Sequence, residues 1–320
     1  MLTGFVLLVL SLPALAQAGA ESYPSRPIRL VVPYAPGGVS DITGRIVAQK
    51  MTELLGQSVV VENRAGAGGM IGTASVAKSA PDGYTIVLSS LSAYAIGPRM
   101  VKAPLYDPVS DFTPIASVAL SPTVLTINSE LPFQTLQQLI AFAKANPGKL
   151  TYGSSGIGSV AHISAEVLRA STGIELVHVP YKSAAQAYPD MIGGSLSMVF
   201  DALPSAIQHI RSSKARPIAM MSDRRASLLP EVPTFAEAGY PEATLRLWVG
   251  LHGPANLPDS IVQKMNETVA RALAAPDVRE RFTSVGADAF RTSPQQFAEL
   301  VRGDVERLGR MMATAGIKGE

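Results

Sequence analysis

From Ile28 onward the chain alternates between two hydrophobic rhythms. Ile28-Arg29-Leu30-Val31-Val32 is a β-branched run stopped by Pro33, and after the loop from Tyr34 to Ser40 the apolar positions Ile42, Ile46, Val47, Met51 and Leu54 recur at helical spacing. Ser40 or Asp41 stands where that helix begins, and either side chain can cap it. Residues 58–61 predict a second strand, 69–80 a helix of small residues and 84–88 a third strand. Short strands joined by such helices imply right-handed crossovers and a parallel sheet. Residues 91–120 lose the rhythm and are rich in Pro and turn formers. It resumes after Leu125-Thr126-Ile127, with strands at 150–152, 175–179, 196–200 and 217–221 and helices at 160–171, 183–193 and 204–212. Beyond a second irregular stretch, 223–242, a strand returns at 244–251. Two amphipathic helices then close the chain. One is built on Val262, Met265, Val269 and Leu273; the other opens on Ser293-Pro294-Gln295-Gln296, a capping box with proline at the first helical position.

Composition narrows the class. The 320 residues are 47% hydrophobic and 16% charged, which excludes disorder and suits two domains of about 150 residues. With 27 Lys+Arg against 25 Asp+Glu, and no basic run denser than Asp223-Arg224-Arg225, nucleic acid is not an expected partner. The absence of cysteine excludes disulfides, thiolate metal sites and a cysteine nucleophile. No charge precedes Glu21, residues 4–16 are apolar, and Ala14-Leu15-Ala16 or Ala18-Gly19-Ala20 fits a secretory cleavage site. The run is too short, and too broken by Ser11 and Pro13, for the roughly 20 apolar residues of a membrane span. A signal peptide over 1–20 is therefore expected, although no Lys or Arg precedes it, and with it an exported chain that is not inserted in the membrane.

In open parallel sheets, ligands bind beyond the carboxyl ends of the strands. The residues there are Tyr34 to Asp41, Ser89-Ser90, Gly153 to Ser159, Tyr181-Lys182-Ser183 and Asp201-Ala202. Most are Gly, Ser and Ala leading into helix starts, whose N–H groups attract anions by about 0.3–1 kcal/mol each. An anion-receiving cleft built from backbone is the expectation. Enzyme motifs fare worse: neither G-x-S-x-G nor Walker A is present, and the four histidines, His162, His178, His209 and His252, show no metal-binding spacing. Gly156-Ile157-Gly158-Ser159-Val160-Ala161 matches a dinucleotide fingerprint, so a dinucleotide-binding α/β oxidoreductase is the alternative, but no acid follows the next strand to hold a ribose. His162 can touch a ligand or pack locally, and Lys182 can neutralise an anion or stay solvated. Asp41 and Asp201 can cap helices or orient a ligand, and Trp248 can serve the core or a cleft wall.

Several ordered motifs resemble one family. Pro33-Tyr34-Ala35-Pro36-Gly37-Gly38 with Asp41, Val61-Glu62-Asn63-Arg64-Ala65-Gly66-Ala67-Gly68-Gly69, Ala80-Pro81-Asp82-Gly83-Tyr84, Val179-Pro180-Tyr181-Lys182 and Leu229-Pro230-Glu231-Val232-Pro233-Thr234-Phe235 look like the Bug family, the periplasmic solute receptors of tripartite tricarboxylate transporters. The similarity runs from about Tyr23 to Met312. It implies an α/β type II periplasmic-binding fold, two lobes around a ligand cleft with a twice-crossed hinge, lobe one being 23–123 plus 246–320 and lobe two 124–245. It also implies a monomeric receptor, not an enzyme, without cofactor or metal. Such a receptor captures a small organic acid and presents it to membrane permease subunits or a sensor kinase. Carried over by position, the ligand-binding residues are Tyr34, Ala35, Gly38, Ser40 and Asp41 in lobe one, and Ser155, Gly156, Ser159, His162, Tyr181, Lys182, Ser183 and Asp201 in lobe two. Ser183 departs from the family, which commonly has glycine after the Tyr-Lys pair.

Overall fold

The computed structural model describes residues 23–314 and 316–317. The expected signal peptide, 1–20, lies outside the described residues. In the first sheet β1 (Ile28–Val32) lies between β2 (Val59–Asn63) and β3 (Thr85–Ser90), parallel to both, with Leu30 level with Val61 and Ile86. Helix α1 (Val39–Leu55) makes the first crossover and α2 (Met70–Ala77) the second. The helix α1 ends where Gly56 takes a left-handed φ of 67° and its N–H bonds to the Thr52 carbonyl, a turn glycine makes at least cost.

The stretch 91–120, expected to be irregular, contains one of the long strands. A π-helical turn at Ser92–Ile96 and a 3-10 turn at Gly97–Arg99 are followed by β4 (Phe112–Ser121). Its small residues and Pro114 mask it in the sequence. β4 runs through Pro122 directly into β5 (Thr123–Asn128), the first strand of the second sheet. There β6 (Leu150–Ser154), β7 (Leu176–Pro180) and β8 (Met198–Ala202) are mutually parallel, in the order β7-β6-β8-β5-β9 with β9 (Ala215–Met220) at the far edge. The first sheet has the order β11-β4-β10-β3-β1-β2, with β10 (Leu247–Pro254) and the short β11 (Asp288–Ala289). The strand–helix rhythm implies parallel sheets, but neither sheet is all-parallel. β10 runs antiparallel to β3 and β4, and β5 antiparallel to β8 and β9, because each belongs to a chain that has crossed between the sheets.

Helices α3 (Leu136–Ala145), α4 (Val160–Thr172), α5 (Tyr188–Ile192) and α6 (Leu203–Arg211) clothe the second sheet; α7 (Asp259–Ala274), α8 (Pro276–Val285) and α9 (Pro294–Thr314) complete the first. Three helices, not two, therefore close the chain. Ile46, Val47 and Met51 of α1 share a core with Met265 and Val269 of α7 and Phe282 of α8, all 4% exposed or less. Each such side chain contributes roughly 1.5–3 kcal/mol by leaving water. Trp248 is fully buried, its Nε1–H donating to the Asp304 carboxylate at 2.8 Å and its ring edge-on to Phe297, so it serves the core rather than a cleft wall.

The two crossings lie side by side. The Met221 N–H donates to the Thr123 carbonyl at 2.7 Å, and the Leu245 N–H to the Met221 carbonyl at 2.9 Å. Ion pairs Arg246–Asp223 and Arg224–Asp288 flank them on the solvent side. Two α/β lobes joined by a twice-crossed hinge is the observed architecture.

Candidate functional site

The carboxyl ends of the parallel strands of both sheets meet at one cavity of about 50 Å³. Four chain segments that follow a strand and begin a helical turn border it: Gly38 to Ser40 at α1, Val160 and Ala161 at α4, Ser183 and Ala184 at a 3-10 turn, and Asp201 and Ala202 at α6. This is the convergence expected of residues beyond strand ends in α/β folds. Tyr34, Ser90 and Ser92 add hydroxyls, Ser155 a position at the neck, and Phe200 and Leu247 an apolar wall.

Three of the bordering hydroxyls have no hydrogen-bond partner although they are buried: Ser40 Oγ, Thr123 Oγ1 and Ser183 Oγ, on side chains that are 1%, 1% and 2% exposed. A buried hydroxyl without a partner costs about 1–3 kcal/mol, so three around one cavity are poised for a polar occupant. Beside them the N-cap of α1 is Gly38, which offers no side chain to the first-turn N–H groups. Those groups have no intrahelical acceptor either and carry the partial positive end of the helix. Tyr34 Oη and Ser90 Oγ are hydrogen-bonded to each other at 2.7 Å, and burial raises the phenol's pKa, keeping it neutral.

Among the described residues one acidic side chain borders the cavity. Asp201 is 7% exposed; its Oδ1 accepts the Ala202 N–H at 2.7 Å and its Oδ2 accepts from Ser205 Oγ. Burial pushes its carboxyl up to about 7, against the lowering effect of those two bonds.

Other expected residues lie elsewhere. Asp41 does not border the cavity and does not cap α1, since the helix already begins at Val39. Its Oδ2 accepts the Gly37 N–H at 3.0 Å, and its Oδ1 accepts from Arg45 Nε at 2.9 Å and Asn63 Nδ2 at 3.0 Å. Burial alone would raise this carboxyl, but those donors outweigh it and hold it below the usual carboxylate range. Asp41 thus braces the loop after β1 from behind, and Ala35 is likewise buried in that loop rather than at the cavity. Ser159 Oγ caps α4 by accepting the His162 N–H at 3.1 Å. His162 stacks on His178 at 4.4 Å and accepts the Gly158 N–H on Nδ1, while His178 Nε2 meets Ser154 Oγ at 2.7 Å. Burial depresses both imidazoles, His178 to about 4. The pair supports the Gly156–Gly158 loop from beneath.

Gly156, Tyr181 and Lys182 border a second, outer cavity of about 290 Å³ that shares Ser155 with the inner one. Tyr181 Oη donates to Asp190 at 2.6 Å, and Lys182 is exposed at this mouth. Ser92, Thr123, Phe200 and Leu247 had no signal in the sequence: each is an ordinary strand or turn residue until the lobes meet.

The glycine loop that resembles a dinucleotide fingerprint is a contact between lobes. Gly68 of the first lobe, at φ 62°, comes so close that a Cβ there would lie 2.7 Å from the Ile157 carbonyl. β7 ends at Pro180 without an acid for a ribose. The oxidoreductase alternative therefore finds no support.

Two lobes meeting at a small cavity with an apolar wall and inward hydroxyls are the architecture of a solute-binding receptor. The family model of the tripartite tricarboxylate transporter family receptor matches residues 43–317. The chain belongs to that family, one of binding receptors and not of enzymes. It is 37% identical to Protein BugT of Bordetella pertussis over 304 residues, 95% of this chain and 93% of that one. Its fold matches R. palustris Rpa4515 with adipate at a TM-score of 0.90 and 34% identity, covering 93% of this chain and all of that one. MatC (Rpa3494) from Rhodopseudomonas palustris with bound malate matches at 0.86 and 30%, covering 90% and 99%.

Proposed function

We propose that the chain is an exported receptor that captures a small carboxylate between its lobes and delivers it to the permease of a tripartite tricarboxylate transporter or to a sensor. The observation that carries this reading is the set of unpartnered hydroxyls, Ser40, Thr123 and Ser183, beside the uncapped start of α1. A carboxylate there accepts from hydroxyls and N–H groups together and gains up to about 2 kcal/mol from the helix end when partly buried. Adipate and malate on the related receptors favour the same ligand class.

On this reading Tyr34, Gly38, Ser40, Ser155, Ser183 and Asp201 meet the ligand directly, and Gly156, Tyr181 and Lys182 form the approach. Asp41, Ser159 and His162 act by holding the two loops in shape. The lobe limits 23–123 plus 246–320 and 124–245, a cleaved leader over 1–20 and a monomeric state belong to the same proposal. Among the described residues no helix is long and apolar enough to cross a membrane.

A thermal-shift screen of mono-, di- and tricarboxylates, amino acids and nicotinamide dinucleotides tests it. Occupancy at 100 times Kd stabilises the folded state by about 2.7 kcal/mol, so a saturable rise in Tm with one class of acid is expected. A rise with dinucleotides alone would overturn the reading. Ser183→Gly, which removes an unpartnered hydroxyl, should change the rank order of acids; an unchanged order would make that position peripheral.

A further inference from the structure

Asp201 presents an electrostatic conflict. Among the described residues it is the single Asp, Glu, Lys, Arg or His that borders the inner cavity, so these residues supply one acid and no base there. A ligand carboxylate entering there meets Asp201 with no cation between them, and two ionised carboxyls sharing one buried site repel strongly. We infer that Asp201 meets the ligand as a neutral carboxyl that donates a hydrogen bond to the bound carboxylate, so that capture of the anion takes up a proton. The inference rests on the carboxylate reading above and adds to it a role for one residue.

Burial is what favours the neutral form. The side chain is 7% exposed, at the end of β8; both its oxygens accept hydrogen bonds from the start of α6, which favour the ionised form, and burial outweighs them. Its proton would add a donor beside the unpartnered Thr123 hydroxyl on the paired strand β5. The titratable groups around it supply no positive charge. Tyr188 of α5 is fully buried and holds its phenol proton, being pushed up chiefly by burial. His209 of α6 stacks on Tyr188 at 4.0 Å and is depressed by burial and Lys214. Across the cleft Tyr34 is neutral as well, and on β5 the neighbouring residues are Thr123 and Val124. On α1, Arg45 is committed to Asp41 and Asn63. Lys182 is exposed at the outer mouth, which does not include Asp201. Burial brings the unliganded carboxyl to about 7, so the proton is taken up within the neutral range rather than far from it.

The window from pH 6.5 to 8.5 is clean for a test. Ordinary carboxylic acids are ionised throughout it. The four histidines are all depressed below their usual value, His178 to about 4 and His252 to about 3. The probes are C2–C6 mono- and dicarboxylates, malate and adipate included, and zwitterionic amino acids, screened by thermal shift on the mature protein at both ends of the window, with calorimetry for the acids that bind. Apparent affinity should fall about twentyfold from pH 6.5 to 8.5, as expected for one group titrating near 7. Titrations in two buffers of different ionisation enthalpy at pH 8.5 should report uptake of close to one proton, a measurement that needs no variant. Asp201→Asn removes the titrating group, so the acids that variant still binds should show affinity independent of pH and no proton uptake.

Equal binding at both ends of the window, with no proton exchanged, would overturn this inference alone and leave the carboxylate reading standing. Binding confined to zwitterionic amino acids, with protons released and Asp201→Asn inactive, would overturn it in favour of an ionised Asp201 paired to an ammonium group. Silence of every carboxylate at pH 6.5 would overturn the carboxylate reading itself, and this inference with it.

Discussion

The backbone N–H of Val160 donates to Ser92 Oγ at 3.0 Å, and that bond joins the start of α4 in one lobe to the turn after β3 in the other. It lies at the wall of the inner cavity, and Gly68 approaches Ile157 at the outer one. The cleft is thus closed by contacts between the lobes themselves as well as by anything held between them. Receptors of this kind act by shifting between open and closed forms, and a ligand moves that balance only through contacts that differ between the two.

Ser92→Ala removes this latch. A neutral hydrogen bond contributes about 0.5–1.5 kcal/mol net, so carboxylate affinity should fall roughly two- to twelvefold while Tm without ligand changes little. Calorimetry of the variant against the best acid of the screen measures this. Unchanged affinity would mean that the bond contributes nothing to closure.

Gly68→Ala acts on the same seam by bulk. The residue holds φ at 62°, and the added Cβ would press on the Ile157 carbonyl. The strained backbone costs about 1–2 kcal/mol on its own, and the close approach exists where the lobes meet. Affinity should drop by about tenfold or more, with the secondary structure retained by circular dichroism. If the Gly68→Ala protein binds as tightly as the parent, closure does not need this approach.

Asp41→Asn tests the brace behind the first loop. The folded carboxyl is held below its unfolded value of 3.8, so the stability it supplies is present above that value and is lost as pH falls through the folded one. At pH 7 the variant should lose roughly 1.5–3 kcal/mol, the usual contribution of hydrogen bonds to a charged group. The difference between variant and parent should shrink in denaturant titrations below pH 4. A loss of affinity without loss of stability would instead make Asp41 a ligand contact.

His252 predicts an acid-sensitive fold. It is fully buried on β10, stacked on Tyr94 at 4.0 Å, and burial depresses its imidazole to about 3. The unfolded chain, near 6.5, binds the extra proton, so this contribution is complete above about pH 6.5 and is lost as pH falls toward 3. His178, at about 4, adds a second proton over the upper part of that range. His252→Phe should fill the aromatic site and flatten the fall in Tm between pH 6 and 4. An unaltered slope would remove His252 from the account.

Local pattern alone determined much of this protein. The β-branched run 28–32, the apolar face of α1 and the Gly- and Ser-rich segments after each strand are short-range features, and strand ends leading into helices located most of the cleft, including Ser40, Ser183 and Asp201. Local signals for two further helices were also there to be read. Thr135 caps α3 ahead of Leu136, Leu139 and Ile140, and α8 begins at Pro276 and ends at Gly286. Other features depended on distant segments meeting. β4 becomes a long strand because β10 pairs with its small residues, and β10 runs antiparallel because the chain has crossed the hinge twice. Thr123, Ser92 and Leu247 border the inner cavity only because the two lobes meet there. Asp41 and Asp201 looked alike in the sequence, each an acid where a helix starts. Arg45 and Asn63 keep one ionised behind its loop, while burial without a cation leaves the other near neutral pH at the cavity wall. Their difference is one of environment, which side chains acquire only from tertiary structure.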